Sequence, residues 1–171
     1  NALKCWGSNS SGQLGQGDTN DRGDSVGELG NNLASIDLGS GRSAKSISVG
    51  GSHTCALLDN GTVKCWGSGN NGKLGQGNSN NIGDGPNEMG DNLSPIDLGS
   101  GRTAKSVASG FDHTCVLLDN DTLKCFGKNT NGQLGQGHTR NLGDNEGEMG
   151  NNLAAINLGT GRIGTSISVG V

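Results

Sequence analysis

His53-Thr54-Cys55-Ala56-Leu57-Leu58-Asp59-Asn60-Gly61-Thr62-Val63-Lys64-Cys65-Trp66-Gly67 is the stretch whose reading decides the fold. Two apolar runs rich in Cys, Leu, Val and Trp flank Asp-Asn-Gly, a triplet whose residues accept the tight backbone of a hairpin turn. A three-residue loop centred on Asn60 sets Leu57 opposite Val63 and Cys55 opposite Cys65. Side chains directly opposite in an antiparallel pair lie close enough for a disulfide. The spacing therefore predicts a stapled hairpin over 53–58 and 62–66.

The same stretch returns sixty residues on, where Cys115 and Cys125 flank Asp119-Asn120-Asp121. Lys4-Cys5-Trp6-Gly7 matches Lys64-Cys65-Trp66-Gly67 and Lys124-Cys125-Phe126-Gly127, and Leu14-Gly15-Gln16-Gly17 recurs at 74–77 and 134–137. A fixed period of this length marks a repeat architecture, in which each unit covers an apolar face of its neighbour. The repeats are assigned to residues 1–51, 52–111 and 112–171.

Only 29% of positions are hydrophobic and 34 of 171 are glycine, so a large conventional core is excluded. Cysteine supplies the compensating constraint. Cys55–Cys65 and Cys115–Cys125 are expected disulfides, with reduced core thiols as the competing reading; zinc knuckle spacing is lacking. Cys5 is the odd cysteine, expected to pair with another chain or with a segment outside this sequence. Disulfides imply an extracellular, oxidising setting. The net charge of −4 argues against a nucleic-acid partner, and no stretch is long and apolar enough for a membrane span.

Within one unit, 44–49 alternates small residues (Ala44, Ser46, Ser48) with larger ones (Lys45, Ile47, Val49), the pattern of a strand nested between neighbours. Ile36-Asp37-Leu38 is expected as a fourth strand. Gly7 to Ser35 reads as a long extended surface loop, with a single helical turn expected where it reads Glu-Met-Gly-Asp-Asn-Leu at 88–93. The fold class is all-β: tandem four-stranded antiparallel blades, not closed within this chain.

The string Gly-x-x-His-Thr-Cys-x-Leu-Leu-Asp-x-x-Thr-x-Lys-Cys-Trp-Gly, followed by Asn-x-x-Gly-Gln-Leu-Gly-Gln-Gly, resembles the regulator-of-chromosome-condensation repeat in its cysteine-containing, bacterial extracellular form. The resemblance implies blades of β-propeller type, normally seven to a ring. It implies no single activity, since the family includes a nuclear exchange factor, a plant photoreceptor and a secreted inhibitor. Three repeats are too few to close a ring. By repeat alignment the sequence runs from the last strand of one blade to the point before the His-Thr-Cys strand of another.

Candidate residues follow from recurrence. Asp24 and Glu28, Asp84 and Glu88, and Asp144 and Glu148 recur in the long loop, an oxygen-rich pattern compatible with calcium or with simple capping of local amides. No other cofactor is expected. His53 and His113 are expected to tie one blade to the next, because no nucleophile recurs beside them: Ser52 becomes Asp112. Trp6, Trp66 and Phe126 are expected to pack between blades. Arg42, Arg102 and Arg162 are expected to pair with loop carboxylates. Arg22-Gly23-Asp24 spells an adhesion tripeptide, read as one copy's variation on a structural Gly-Asp step, and glycosylation sequons stand at Asn9, Asn60, Asn92 and Asn120.

These features favour a non-catalytic extracellular protein that stacks head to tail with further copies of itself or with adjacent repeats, forming a fibre or surface assembly. The alternative is a fragment of a secreted closed propeller that binds a protein partner. An enzyme would require a polar cluster confined to one copy.

Overall fold

A computed structural model describes residues 2–170. Six strands form two antiparallel sheets: β1 (Ala44–Val49), β2 (His53–Leu58) and β3 (Val63–Gly67), then β4 (Ala104–Ser109), β5 (His113–Leu118) and β6 (Leu123–Gly127). Cys55 stands opposite Cys65 and Leu57 opposite Val63; Cys115 and Cys125 repeat the pairing. Leu58 N–H donates to Thr62 O at 2.8 Å and closes the turn. Asn60 Oδ1 accepts from Thr62 N at 3.1 Å, which keeps Thr62 in the turn and starts β3 one residue later than the pattern suggested.

Strand alternation divides each sheet into two faces. On the first sheet Cys55, Leu57, Val63 and Cys65 point towards the second sheet, where they meet Ala104, Val116, Leu118 and Phe126. The opposite face, Ala56, Leu58 and Trp66, packs on Ile36, Leu38 and Leu93. One strand thus serves two seams. This is how a chain with few apolar residues still builds a continuous core.

The expected fourth strand is not formed. Ile36 N donates to Leu3 O at 2.9 Å, and Ile96 N to Val63 O and Ile156 N to Leu123 O at 2.8 Å, but pairing stops there. The next carbonyl, of Asp37, turns away to accept from Gly90 N at 3.1 Å. The segment therefore links two repeats, and the sheets have three strands.

The long loop also departs from an extended surface path. Gly7 bridges Arg22, Gly67 bridges Ile82 and Gly127 bridges Leu142, folding each loop back on the residue where it starts. Asn9, fully buried, pins the fold-back: its Nδ2 donates to Asp18 O at 2.7 Å and its Oδ1 accepts from Leu14 N at 2.9 Å. The short helical turn is present as 3-10 turns at Gly30–Asn32, Gly90–Asn92 and Gly150–Asn152. Among the described residues no helix is long and apolar enough to cross a membrane.

Candidate functional site: the seam between repeats

The seam is built from side chains of one repeat bonding main-chain atoms of the last. Thr54 Oγ1 and Trp66 Nε1 both donate to Gln13 O, at 2.9 and 3.1 Å. One repeat on, Thr114 Oγ1 donates to Lys73 O at 2.9 Å, while Phe126 has no donor to offer. Because the single Thr114 hydroxyl proton is committed to that carbonyl, the 2.9 Å contact with His53 Nε2 requires the histidine to donate. His53 is thus the Nε2–H tautomer, and its buried Nδ1 has no hydrogen-bond partner.

Gly50 makes this ring position possible. A Cβ there would collide with the His53 ring and with Gly110 O, and Gly110 stands in the same relation to His113. That is the physical content of Gly-x-x-His. Burial lowers the His53 pKa to about 4, the Lys73 cation adding to the effect, and burial lowers that of His113 in the same direction. With Nε2 committed to Thr114, His53 acts as a tie between repeats.

Two lysines hold the outer part of the seam. Lys64 Nζ donates to Leu38 O at 3.0 Å and Gly90 O at 2.8 Å; Lys124 Nζ donates to Leu98 O at 3.0 Å and Gly150 O at 2.7 Å. Burial lowers both lysine pKa values, and the nearby carboxylates of Asp91 and Asp37 at Lys64, and Asp97 at Lys124, oppose it. Ser40 N and Oγ both donate to Asp91, at 2.9 and 2.5 Å, and Ser100 and Asn151 repeat the contact with an amide. These bonds to Ser40 lower the Asp91 pKa.

One cluster is not repeated. Lys73 Nζ, nearly fully buried, donates to Asp112 Oδ1 at 2.7 Å and to Ser52 Oγ at 3.1 Å, with Lys128 Nζ 3.6 Å from the other Asp112 oxygen. Burial raises the Asp112 pKa, but the two lysines outweigh it and the net shift is downward. The signal was present in sequence: Lys73 replaces Gln13 and Gln133 where Asp112 replaces Ser52.

The remaining expected residues divide clearly. Cys55–Cys65 and Cys115–Cys125 are disulfides with Cα atoms 4.1 Å apart, and Cys5 is free and half-buried, where desolvation raises its thiol pKa. Trp66 and Phe126 are fully buried between repeats, but Trp6 is 64% exposed. Trp66 owes its cover to Gly15 and Met89, and Trp6 has no preceding repeat among the described residues.

The loop glutamates cap their own loop. Glu28 Oε2 accepts from Gly23 N and Ser25 N at 2.7 and 3.2 Å, Glu88 Oε2 from Gly83 N and Gly85 N at 2.8 Å, and Glu148 Oε2 from Gly143 N and Asn145 N at 2.9 and 3.1 Å. Burial, then a hydrogen bond to Glu148 and its charge, raise the Asp144 pKa. Among the described residues, no group of three or more His, Cys, Asp or Glu is placed to hold a metal. Arg42 and Arg102 lie 3.2 and 3.5 Å from Asp59 and Asp119, carboxylates of the hairpin turns. The Arg22 guanidinium is tied to Asp18 at 2.6 Å and Gly23 N to Glu28, so the tripeptide is folded into its own loop and its arginine does not project.

Small stapled sheets that pack face to face, bond through a repeated seam and stop short of a ring define a repeat protein of β-propeller type. The regulator of chromosome condensation (RCC1) repeat matches residues 44–73 and 104–133, and a second model of that description matches 60–117. The chain belongs to this repeat family. It is 33% identical to the Arabidopsis thaliana ultraviolet-B receptor UVR8 over 78% of this chain and 27% of the receptor. It is 34% identical to the Drosophila melanogaster regulator of chromosome condensation over 86% of this chain and 24% of that protein. Among solved structures it superimposes on human WBSCR16 with TM-score 0.62, 18% identity and coverage of 97% of this chain and 37% of that one. Yeast RCC1 (Prp20), crystallised with Kap60, gives TM-score 0.56, 20% identity and coverage of 81% and 31%. The chain thus spans about a quarter to a third of most of these relatives.

Proposed function

We propose that this chain is a non-catalytic, extracellular structural segment whose sheets continue head to tail, in a fibre or surface assembly, onto further copies or adjacent repeats. The observation that carries the reading is the seam itself. Its two halves lie open at opposite ends of the described stack. At one end Trp6, Ile47 and Val49 are exposed beside Cys5. At the other, the outward face of the second sheet, with Cys115, Cys125, Ile156, Ile167 and Val169, lines an open groove of about 480 Å³. In the interior the counterparts Trp66, Cys55, Cys65 and Ile96 are buried and Val107 packs against the same core, so the surfaces match in kind. The two disulfides support an oxidising setting.

Sedimentation velocity over a range of concentrations, with electron microscopy of the same samples, tests the assembly. End-to-end particles that are lost in Ile47→Asp or Val49→Asp support it. A sharp monomer at every soluble concentration overturns it.

A second reading is favoured by coverage. Because the chain spans 31% of a yeast protein solved in complex with Kap60, it also fits as part of a closed propeller that binds a protein partner. Discrete rings in the images would select this reading.

A further inference from the structure

We propose that Asn60 and Asn120 are acceptor sites for N-linked glycans, and that Asn9 and Asn92 are not. All four stand in Asn-x-Ser/Thr sequons, so sequence alone does not separate them. The structure does. Asn60 and Asn120 are exposed at the tips of the two hairpins, outside both sheets, and each tip is anchored by the disulfide below it. Among the described residues neither Nδ2 donates to a protein acceptor, whereas Asn9 Nδ2 is spent on Asp18 O at 2.7 Å in a fully buried site and Asn92 Nδ2 on Asn87 O at 3.0 Å.

The local chemistry points the same way. Thr62 Oγ1 donates to Asn60 Oδ1 at 2.8 Å and Thr122 Oγ1 to Asn120 Oδ1 at 2.8 Å; the Thr62 and Thr122 amides add bonds of 3.1 and 3.3 Å. Two donors on Oδ1 favour negative charge there, which eases loss of a proton from Nδ2. Nδ2 then attacks the anomeric carbon of a lipid-linked oligosaccharide diphosphate. The new C–N bond forms as the C–O bond breaks, the lipid diphosphate leaves with that electron pair, and the Nδ2 proton passes to a base of the transferase. No oxidation or reduction is involved.

The proposal rests on the oxidising, secretory setting inferred above, and the test separates the two. The chain is expressed behind a cleavable secretion signal in eukaryotic cells, and its peptides are analysed by mass before and after enzymatic glycan release. Non-reducing peptide mapping follows the disulfides in parallel. Folded protein should carry glycans at Asn60 and Asn120 alone. Asn60→Gln and Asn120→Gln should each remove one, and Thr62→Ala should remove the glycan at Asn60 while leaving the asparagine. If a Gln variant fails to fold, Thr62→Ala and Thr122→Ala give the same reading on glycan occupancy. Secreted protein with both disulfides formed but both asparagines bare overturns the proposal and leaves the compartment reading intact. Glycans present without disulfides do the reverse. A glycan on Asn9 or Asn92 of folded protein also overturns it.

Discussion

Exchanging the two buried rings of the seam tests the packing scheme at its most specific point. Gln13 O accepts from Thr54 Oγ1 and Trp66 Nε1, whereas Lys73 O accepts from Thr114 Oγ1 alone because Phe126 occupies the indole position. Trp66→Phe removes one hydrogen bond, a net loss of about 1 kcal/mol. The smaller ring also leaves a cavity in a fully buried site, adding about 1 kcal/mol. The total is about 2 kcal/mol, or roughly 4 to 8 °C in Tm for a chain of this size. Phe126→Trp should act in the opposite sense. The ring at this position meets a glycine and a methionine in both copies (Gly15 and Met89, Gly75 and Met149), so an indole at 126 should reach Lys73 O as Trp66 reaches Gln13 O and gain up to about 1 kcal/mol. Trp6→Phe, at an exposed ring, is the control and should stay within about 0.5 kcal/mol. Urea unfolding followed by circular dichroism reads all three without relying on tryptophan emission. A neutral Trp66→Phe, or a Phe126→Trp that loses more than about 1 kcal/mol, would refute the reasoning.

Replacing Cys55 and Cys65 together by alanine should cost about 3 kcal/mol, the loop-closure value for a ten-residue separation, measured by thermal melting against the oxidised parent. His53 is neutral when folded, with a pKa of about 4 against an ordinary 6.5, so its contribution is complete above pH 6.5 and drains away as pH falls towards 4. The unfolding free energy from urea curves across that window should fall, by about 3 kcal/mol if His53 alone titrates, and the slope should flatten in His53→Gln. Lys73→Gln leaves Asp112 with only the longer contact to Lys128 and should cost about 1 to 3 kcal/mol, whereas adding Asp112→Ser, which recreates the Gln13 and Ser52 combination, should restore most of it; independent losses in a double-mutant cycle would contradict the pairing. Asp121, at φ 65° where the first hairpin has Gly61 at φ 80°, should gain up to about 1 kcal/mol on substitution by glycine, read from the same urea curves.

The hairpins were legible because everything that fixes them is local. Asp59-Asn60-Gly61 sets the register, and register sets which cysteines meet. The seam was legible only in outline. That His53 reaches Thr114, and Thr114 the carbonyl of Lys73, depends on the offset between sheets, which no single unit encodes. The cover of each ring comes in part from a different repeat than its own, as Gly15 covers Trp66, so recurrence alone does not supply it. Ile36–Leu38 carries a strand's alternation, but the Asp37 carbonyl is claimed by Gly90 across the junction, and a long-range competitor of that kind leaves no local trace. The Lys73–Asp112 pair needed only a comparison of the copies with one another: two departures from the common pattern at once.

Lys64 and Lys124 each clamp two main-chain carbonyls, not side chains: one in the preceding repeat (Leu38 or Leu98) and one in their own (Gly90 or Gly150). A latch that reads only the peptide backbone is indifferent to which amino acids carry it. Units of this kind are therefore interchangeable parts: a module moved, duplicated or inserted elsewhere in the series brings one acceptor with it and meets the same backbone acceptor in its neighbour, and the array can lengthen or be reshuffled without a new joint being invented each time.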